Sequence, residues 1–196
     1  EKLKSVCKPI VLVLYNGRPM ILNWEDKAMD AILDVWFGGT EGGNAVADVL
    51  FGDVSPSGKL TTSFPVAEGQ IPVYHSMLNT GRPYGGQEAS KFMSNYLDIP
   101  NAPLYPFGYG LTYTNFEYSN LSLSGNTMKP SDKIVVSFSI KNTGKKAGTE
   151  TAQLYIQDVV GSISRPLKEL KGFSKVSLAP GESKIVKFEI IYALKS

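Results

Sequence analysis

Cysteine and histidine are almost absent from this chain of 196 residues, which contains one of each, Cys7 and His75. A single cysteine excludes an internal disulfide framework, and the two residues together are too few for a structural zinc site. The longest purely apolar run has six residues, Ile10 to Tyr15, whereas a membrane-spanning helix needs about 20. The sequence therefore predicts no metal, no cofactor and no membrane span.

Charge of one sign is also lacking, because the net charge is only +2. That is too small to indicate nucleic acid or a membrane surface as a partner. Hydrophobic residues make up 42% of the chain, which excludes a disordered protein. The 19 glycines and 12 prolines are typical of a loop-rich α/β or all-β protein. The chain opens without a signal-peptide pattern, so we expect either a cytoplasmic protein or an internal piece of a processed one.

The two halves of the chain differ in charge and in hydrophobic pattern. Residues 1–115 carry 8 basic and 11 acidic side chains, whereas residues 116–196 carry 12 basic and 7 acidic ones. The first half has one helical stretch among apolar runs, and the second half has short alternating segments. Both observations indicate a boundary near residues 106–116, and we predict domains over 1–110 and 111–196.

The first half predicts an α/β unit. Ile10–Tyr15 is apolar on both faces, as in a buried strand of a parallel sheet. Ala31–Phe37 is a second strand candidate, followed by a glycine-rich turn and a helix near residues 44–51, which Thr40 or Asn44 can cap. Residues 53–110 are rich in proline, glycine and tyrosine, so we expect long ordered loops there.

The second half predicts an immunoglobulin-like sandwich of antiparallel strands. Residues 134, 136, 138 and 140 are apolar and alternate with polar positions, which is typical of a half-buried strand. Strands are predicted at Phe116–Leu123, Lys133–Lys141, Thr149–Asp158, Leu167–Val176 and Ser183–Ile190. Because such a sandwich has about seven strands, we expect the final hairpin to be missing.

Several kinds of catalytic site find little support in the residues. The turn from Gly38 to Gly43 fails both the dinucleotide fingerprint and the P-loop pattern. His75 has no nucleophile elbow to accompany it and is interpreted as a loop or pocket-wall residue. Glycoside hydrolysis needs only two carboxylates, and Glu41, Glu68 and Glu88 are loop candidates that are each better explained as solvated surface acids.

Aromatic side chains crowd into the proline-rich loops between residues 74 and 113. Sugars bind to aromatic faces, so this composition favours a carbohydrate protein. The segment Tyr105–Tyr113 is interpreted mainly as loop packing because it lies on the predicted boundary. The loop Gln70–Pro83 is the better candidate for a binding site.

Three long motifs resemble glycoside hydrolase family 3. They are Trp36-Phe-Gly-Gly-Thr-Glu-Gly-Gly-Asn-Ala45, Phe51-Gly-Asp-Val-Ser-Pro-Ser-Gly-Lys-Leu60 and Tyr105-Pro-Phe-Gly-Tyr-Gly-Leu-Thr-Tyr113. The segments Asn142-Thr-Gly144, Gln153-Leu-Tyr155 and Arg165-Pro-Leu-Lys-Glu-Leu-Lys-Gly-Phe173 resemble the fibronectin-type-III-like domain of that family. The resemblance extends over essentially the whole chain. It implies the C-terminal part of an αβα sandwich followed by the fibronectin-like domain.

The same resemblance implies a function. Members of the family include exo-acting, retaining β-glucosidases of the periplasm or the extracellular space. Their nucleophile lies in a barrel absent from this chain, and their acid/base lies upstream of the strand at Ile10–Tyr15, so no catalytic residue is assigned here and the chain alone is expected to be inactive. Tyr74, His75 and Arg82 are the candidates for the rim of the active-site mouth.

Two alternatives stay open at this stage. The chain could be a module that binds polysaccharide or cell wall, although the sequence offers no clear aromatic platform in its second half. The full enzyme could also act on xylosides or arabinosides, because the missing barrel forms most of the sugar pocket. An open sandwich edge exposes unpaired backbone groups, so we also expect association of the isolated chain, for example as a homodimer, or fraying beyond residue 190.

Overall fold

The computed structural model describes residues 2–6, 8–78, 80–82 and 92–191. The structure divides the chain into two compact units. One comprises Glu1–Leu50, Leu60–Tyr109 and Asp158–Leu167, and the other comprises Phe51–Lys59, Gly110–Gln157 and Lys168–Ser196. Residues 51–59 thus belong to the second unit and residues 158–167 to the first, although each segment lies within the sequence of the other unit. The domain limits 1–110 and 111–196 remain a prediction. Cys7, Glu88, Pro83 at the end of the predicted binding loop, and the residues beyond 191, where fraying is expected, lie outside the described residues.

The first unit contains a parallel α/β arrangement, as predicted. Strand β1 (Val11–Leu14) pairs in parallel with β2 (Ala31–Asp34), and helix α1 (Asn23–Ala28) connects them. Helix α2 (Gly42–Phe51) follows the glycine-rich turn. Two 3-10 turns, Lys4–Val6 and Glu68–Gln70, complete the helices and strands described before residue 116, so the expectation of long loops over residues 53–110 is confirmed for the described part of that range.

Some predictions for the first unit are wrong in detail. Helix α1 was not predicted, because six residues provide fewer than two turns of periodicity and the residue before it makes no side-chain capping bond. Strand β2 ends at Asp34 rather than Phe37, and the backbone of Trp36 adopts a left-handed φ of 55° that no strand tolerates. Asn44 lies inside α2 rather than at its cap.

Strand β1 is also less buried than its apolar sequence indicates. Val11 is 44% exposed, and the next three residues are only half-buried. The prediction of burial on both faces is therefore wrong for this structure. Within the described residues β1 pairs only with β2, and a two-stranded sheet cannot enclose an apolar strand as a wider parallel sheet does.

The described part of the second unit is an antiparallel sandwich with five strands, as predicted. They are β3 (Phe116–Leu123), β4 (Lys133–Asn142), β5 (Gly148–Ile156), β6 (Glu169–Leu178) and β7 (Ser183–Ile191). One sheet has the order β3-β4-β7 and the other pairs β5 with β6. Val136, Phe138 and Ile140 all point inward from β4, which confirms the alternation read from the sequence.

One core holds the two sheets of the sandwich together. It contains Val136, Phe138, Ile140, Ala152, Val176, Leu178 and Val186, with Phe116, Leu154, Phe188 and Ile190 packed against it. The turn after β4 is fixed by the buried Asn142, whose amide donates to the carbonyls of Lys146 (2.8 Å) and Leu178 (3.1 Å). Its Oδ1 accepts from Thr114 at 2.6 Å and from the Gly144 amide at 3.0 Å. The four hydrogen bonds of this one buried side chain therefore tie the turn to Thr114 and to the end of β6.

Candidate functional site

The candidate rim loop, residues 71–82, starts at a buried glutamine. Gln70 is 1% exposed, and its Oε1 accepts from the Val66 backbone amide at 2.9 Å. Its Nε2 donates to the carbonyls of Pro100 and Ala102, both at 3.0 Å. A side chain that satisfies backbone groups of two separate segments anchors the loop to the body of the first unit.

Two of the three predicted rim residues lie side by side, half in solvent. Tyr74 is 51% exposed. The ring of His75 is partly buried and stacks on Phe107, with ring centroids 3.9 Å apart and planes tilted by 16°. The exposed ring of Tyr74 and the stacked ring of His75 are each aromatic groups of the kind that suits the C–H face of a sugar.

Arg82 occupies the other end of the same loop. Its carbonyl accepts a hydrogen bond from the Ser94 amide at 2.9 Å, and the residue is exposed. Within the described part of the chain no hydrogen bond joins its guanidinium to Tyr74. Tyr74 and His75 are adjacent because they are consecutive in the sequence, and Arg82 is a separate exposed cation on this loop.

Phe107, on which His75 stacks, lies near the end of the Leu60–Tyr109 stretch of the first unit. The Phe107 amide donates to Oγ of the buried Ser63 at 3.1 Å. The amide of Phe64 donates to the Tyr105 carbonyl at 2.8 Å, and the amide of Gly108 donates to the Leu60 carbonyl at 2.7 Å. These bonds hold Phe107 in place under the histidine ring. The sequence marked Phe107 as one of many loop aromatics but carried no signal that would pair it with His75.

Tyr105 reinforces this stretch in a way that agrees with its interpretation as a packing residue. Its hydroxyl donates to Oδ1 of Asp26 in α1 at 2.5 Å, and its ring stacks on Tyr109 with centroids 5.4 Å apart. Burial, followed by the bond to the Asp26 carboxylate, raises the pKa of the Tyr105 phenol well above its usual range. The phenol therefore stays protonated and keeps donating to Asp26 throughout the physiological pH range.

Two shielded polar side chains, Asn16 and Asp34, lie where the parallel strands β1 and β2 end. The sequence analysis did not identify them. Both carboxylate oxygens of Asp34 and Oδ1 of Asn16 are shielded from solvent and have no hydrogen-bond partner among the described residues. Burial raises the pKa of Asp34, and the nearby backbone N–H of Trp36 lowers it in part. The apolar setting of Asp34 in the sequence gave no sign that its side chain would be enclosed.

Two of the three loop carboxylates, Glu41 and Glu68, lie within the described residues. Glu41 immediately precedes α2 and its Oε2 accepts from the Asn44 amide at 2.5 Å, whereas Glu68 lies in the 3-10 turn before the rim loop. Across the described ranges, no group of three or more His, Cys, Asp or Glu residues is arranged to hold a metal ion. None of the helices in those ranges has the length and apolar character needed to cross a bilayer.

A parallel α/β unit followed in sequence by an antiparallel β sandwich is the two-part architecture that the motifs of the sequence predicted. Residues 1–113 match the model of the glycosyl hydrolase family 3 C-terminal domain, and residues 150–191 match that of the fibronectin type III-like domain. The chain belongs to glycosyl hydrolase family 3.

Individual relatives agree with this assignment. A Salmonella typhimurium protein named periplasmic beta-glucosidase is 58% identical over 98% of this chain and 25% of its own length. A Formosa agariphila protein named putative beta-xylosidase is 46% identical over 97% of this chain and 24% of its own length. The crystal structure of a beta-glucosidase from Listeria innocua in complex with isofagomine has a TM-score of 0.91 at 47% identity, covering 97% of this chain and 27% of that one. The chain thus spans about a quarter of the length of these relatives.

Proposed function

We propose that this chain forms the C-terminal part of an exo-acting, retaining β-glucosidase that removes terminal β-D-glucosyl residues. The observation that carries the proposal is the 58% identity over 98% of the chain to a protein named periplasmic beta-glucosidase. That relative also supports export to the periplasm or secretion. In this proposal the substrate is a β-glucoside or an oligosaccharide, and neither nucleic acid nor a membrane is a partner.

In the proposed mechanism the chain positions the leaving group rather than breaking the bond. A retaining glycosidase uses one carboxylate as nucleophile and a second as acid and then base, about 5 Å apart. We assign neither role to a residue of this chain, and both belong to the remaining part of the enzyme, which includes the N-terminal barrel. Tyr74 and His75 supply an aromatic surface where the leaving sugar or aryl group departs, and Arg82 supplies hydrogen-bond donors on the same loop.

The test compares the full-length protein with the 196-residue chain on an aryl β-glucoside. We expect turnover by the full-length protein with retention of the anomeric configuration, observed by NMR of the first-formed sugar. The chain alone should show no turnover above buffer. Turnover by the chain at a rate comparable to that of the full-length protein would refute its proposed non-catalytic role.

A second candidate function keeps the family and changes the sugar. The relative from Formosa agariphila named putative beta-xylosidase, at 46% identity, favours a xyloside. Parallel assays with aryl β-xyloside and aryl α-arabinoside decide between these sugars. A kcat/KM that is higher for either pentoside than for the glucoside would replace the first proposal by the second.

A binding module for polysaccharide finds less support. Phe138 and Phe188 stack on each other at 5.9 Å inside the sandwich, so these rings cannot contact a polymer. Retention of the chain on insoluble glucans would be the observation in favour of a binding module. The association expected of the isolated chain, for example as a homodimer, is likewise a proposal, which sedimentation of the 196-residue chain at several concentrations can test.

A further inference from the structure

The connection between β5 and β6 packs within the first unit, beside the rim loop. Residues 158–167 belong to that unit although the strands on either side of them belong to the sandwich. The Leu167 amide donates to the Met77 carbonyl at 2.9 Å, and Leu78 forms an antiparallel bridge with Pro166. The contact lies two residues after His75, so the connection holds the backbone of the rim loop directly.

This contact lies between the other supports of the rim loop. The loop is anchored before Tyr74 by the Gln70 network and at its far end by the bond between the Arg82 carbonyl and the Ser94 amide. The backbone bond from Leu167 fixes the middle of the loop. Losing it would release Met77 and Leu78 while the two outer anchors stay in place.

The connection and the middle of the loop both present apolar side chains to solvent. Val159 and Val160 are 81% and 90% exposed, and Met77 and Leu78 are also exposed. The exposed Met77 and Leu78 follow Tyr74 and His75 on the rim loop, and exposed apolar side chains there suit the C–H surface of a sugar or an aryl group that enters from solvent. These four side chains carry no charge, so they offer no ion pair to a charged group.

We propose that the β5–β6 connection, through Pro166 and the Leu167 backbone amide, positions the rim loop for the leaving group and so sets the selectivity of the enzyme for different leaving groups. Pro166 and the backbone N–H of Leu167, not the Leu167 side chain, are the positioning groups in this inference, which rests on the proposed function. The glucosyl residue itself is held elsewhere, so the effect should depend on the size of the leaving group. A small activated aryl group needs little orientation, whereas a departing sugar needs a fixed rim.

The experiment uses three variants of the full-length protein. Leu167→Pro removes the backbone donor to Met77, Leu167→Ala keeps that donor and shortens the side chain, and Ser162→Pro adds a proline to the same connection without touching the bond. For Leu167→Pro we expect kcat/KM on a β-linked glucose disaccharide to fall roughly tenfold, with less than a twofold change on a dinitrophenyl β-glucoside. The two other variants should stay within twofold of the wild type on both substrates.

Limited proteolysis gives a second measurement that does not depend on activity. Chymotrypsin cleavage within residues 74–78 should be faster in Leu167→Pro than in Leu167→Ala, because the Met77 carbonyl loses its donor and the loop backbone is less restrained. Equal losses on both substrates, or equal cleavage rates in the two variants, would overturn the inference. If the wild-type protein hydrolyses no glucoside, pentoside or disaccharide at all, the proposed function fails instead, whereas an active wild type with an unselective Leu167→Pro variant refutes this inference alone.

Discussion

The Nζ atom of Lys59 lies 3.5 Å from Oε2 of Glu150, and the two side chains are only 14% and 12% exposed. Oε1 of the same carboxylate accepts from the Tyr118 hydroxyl at 2.9 Å, and Lys59 also donates to the Gly110 carbonyl at 2.9 Å. Burial, and then the bond to Glu150, raises the pKa of Tyr118 well above its usual range, so its hydroxyl remains a donor. One carboxylate thus joins two strands of the sandwich to the segment that precedes Leu60.

Replacing that carboxylate should destabilise the second unit strongly. Glu150→Gln keeps the shape but leaves the Lys59 ammonium shielded and uncompensated, which costs about 3 kcal/mol in comparable buried pairs. Urea unfolding followed by circular dichroism measures the change. The matched control is Glu189→Gln, which breaks the exposed pair between Lys133 and Glu189 at 2.9 Å and should leave the midpoint unchanged. Equal shifts in the two variants would contradict the importance assigned to burial.

Gln70 allows a similar test in the first unit. In Gln70→Glu an oxygen replaces the amide nitrogen that donates to Pro100 and Ala102, so two carbonyls lose their donor and face a buried charge. We expect a loss of about 2 kcal/mol at pH 7. The loss should shrink in acid, because a protonated carboxyl can donate again. A loss that does not vary between pH 4 and pH 7 would show that the network is not what anchors the rim loop.

How well the sequence predicted each feature depends on how local its cause is. The alternation in β4 is a local pattern with a period of two, so the inward positions of Val136, Phe138 and Ile140 could be predicted. The parallel pair β1–β2 followed from apolar, β-branched composition. Helix α1 is too short to show a period. The packing of residues 158–167 within the first unit depends on the bridge between Leu78 and Pro166, residues far apart in sequence that carry no common motif.

The site shows the same division. The sequence placed Tyr74 and His75 in a loop with binding character because aromatic and proline residues cluster there. It could not show that His75 stacks on Phe107, since that contact depends on how two distant loops are folded against each other. Nor could it show that Asp34 would be shielded, because the enclosure is produced by neighbours in space and not in sequence.

Asp34 should make stability depend on pH. Burial raises its pKa in the folded chain above the value in the unfolded chain. The folded state therefore binds this proton more tightly, so the contribution of Asp34 to stability is complete below the unfolded pKa of about 4 and is lost as pH rises through the folded pKa. Asp34→Asn should accordingly be more stable than the wild type at pH 7, by about 1 kcal/mol, and the advantage should disappear near pH 3.

Thermal unfolding of the 196-residue chain at pH 3, 5 and 7 measures this effect. Asp48→Asn is the control, because Asp48 is exposed on α2. A wild type that is more stable than Asp34→Asn at pH 7 would mean that the carboxylate finds a partner in solution. A constant difference at all three pH values would mean that the change acts through shape and not through charge.

The stack of His75 on Phe107 separates a structural role from a binding role at the rim. His75→Phe keeps a flat ring over Phe107, whereas His75→Ala removes it and loses about 1 kcal/mol of ring stacking. The melting temperature of the chain should therefore fall for His75→Ala and stay near the wild-type value for His75→Phe. In the full-length protein His75→Phe keeps the aromatic face proposed to meet the leaving group, so its KM for a disaccharide should stay near the wild-type value, whereas His75→Ala should raise it. An equal rise of KM in His75→Phe would show that the polar atoms of the imidazole, and not its ring face, contact the substrate.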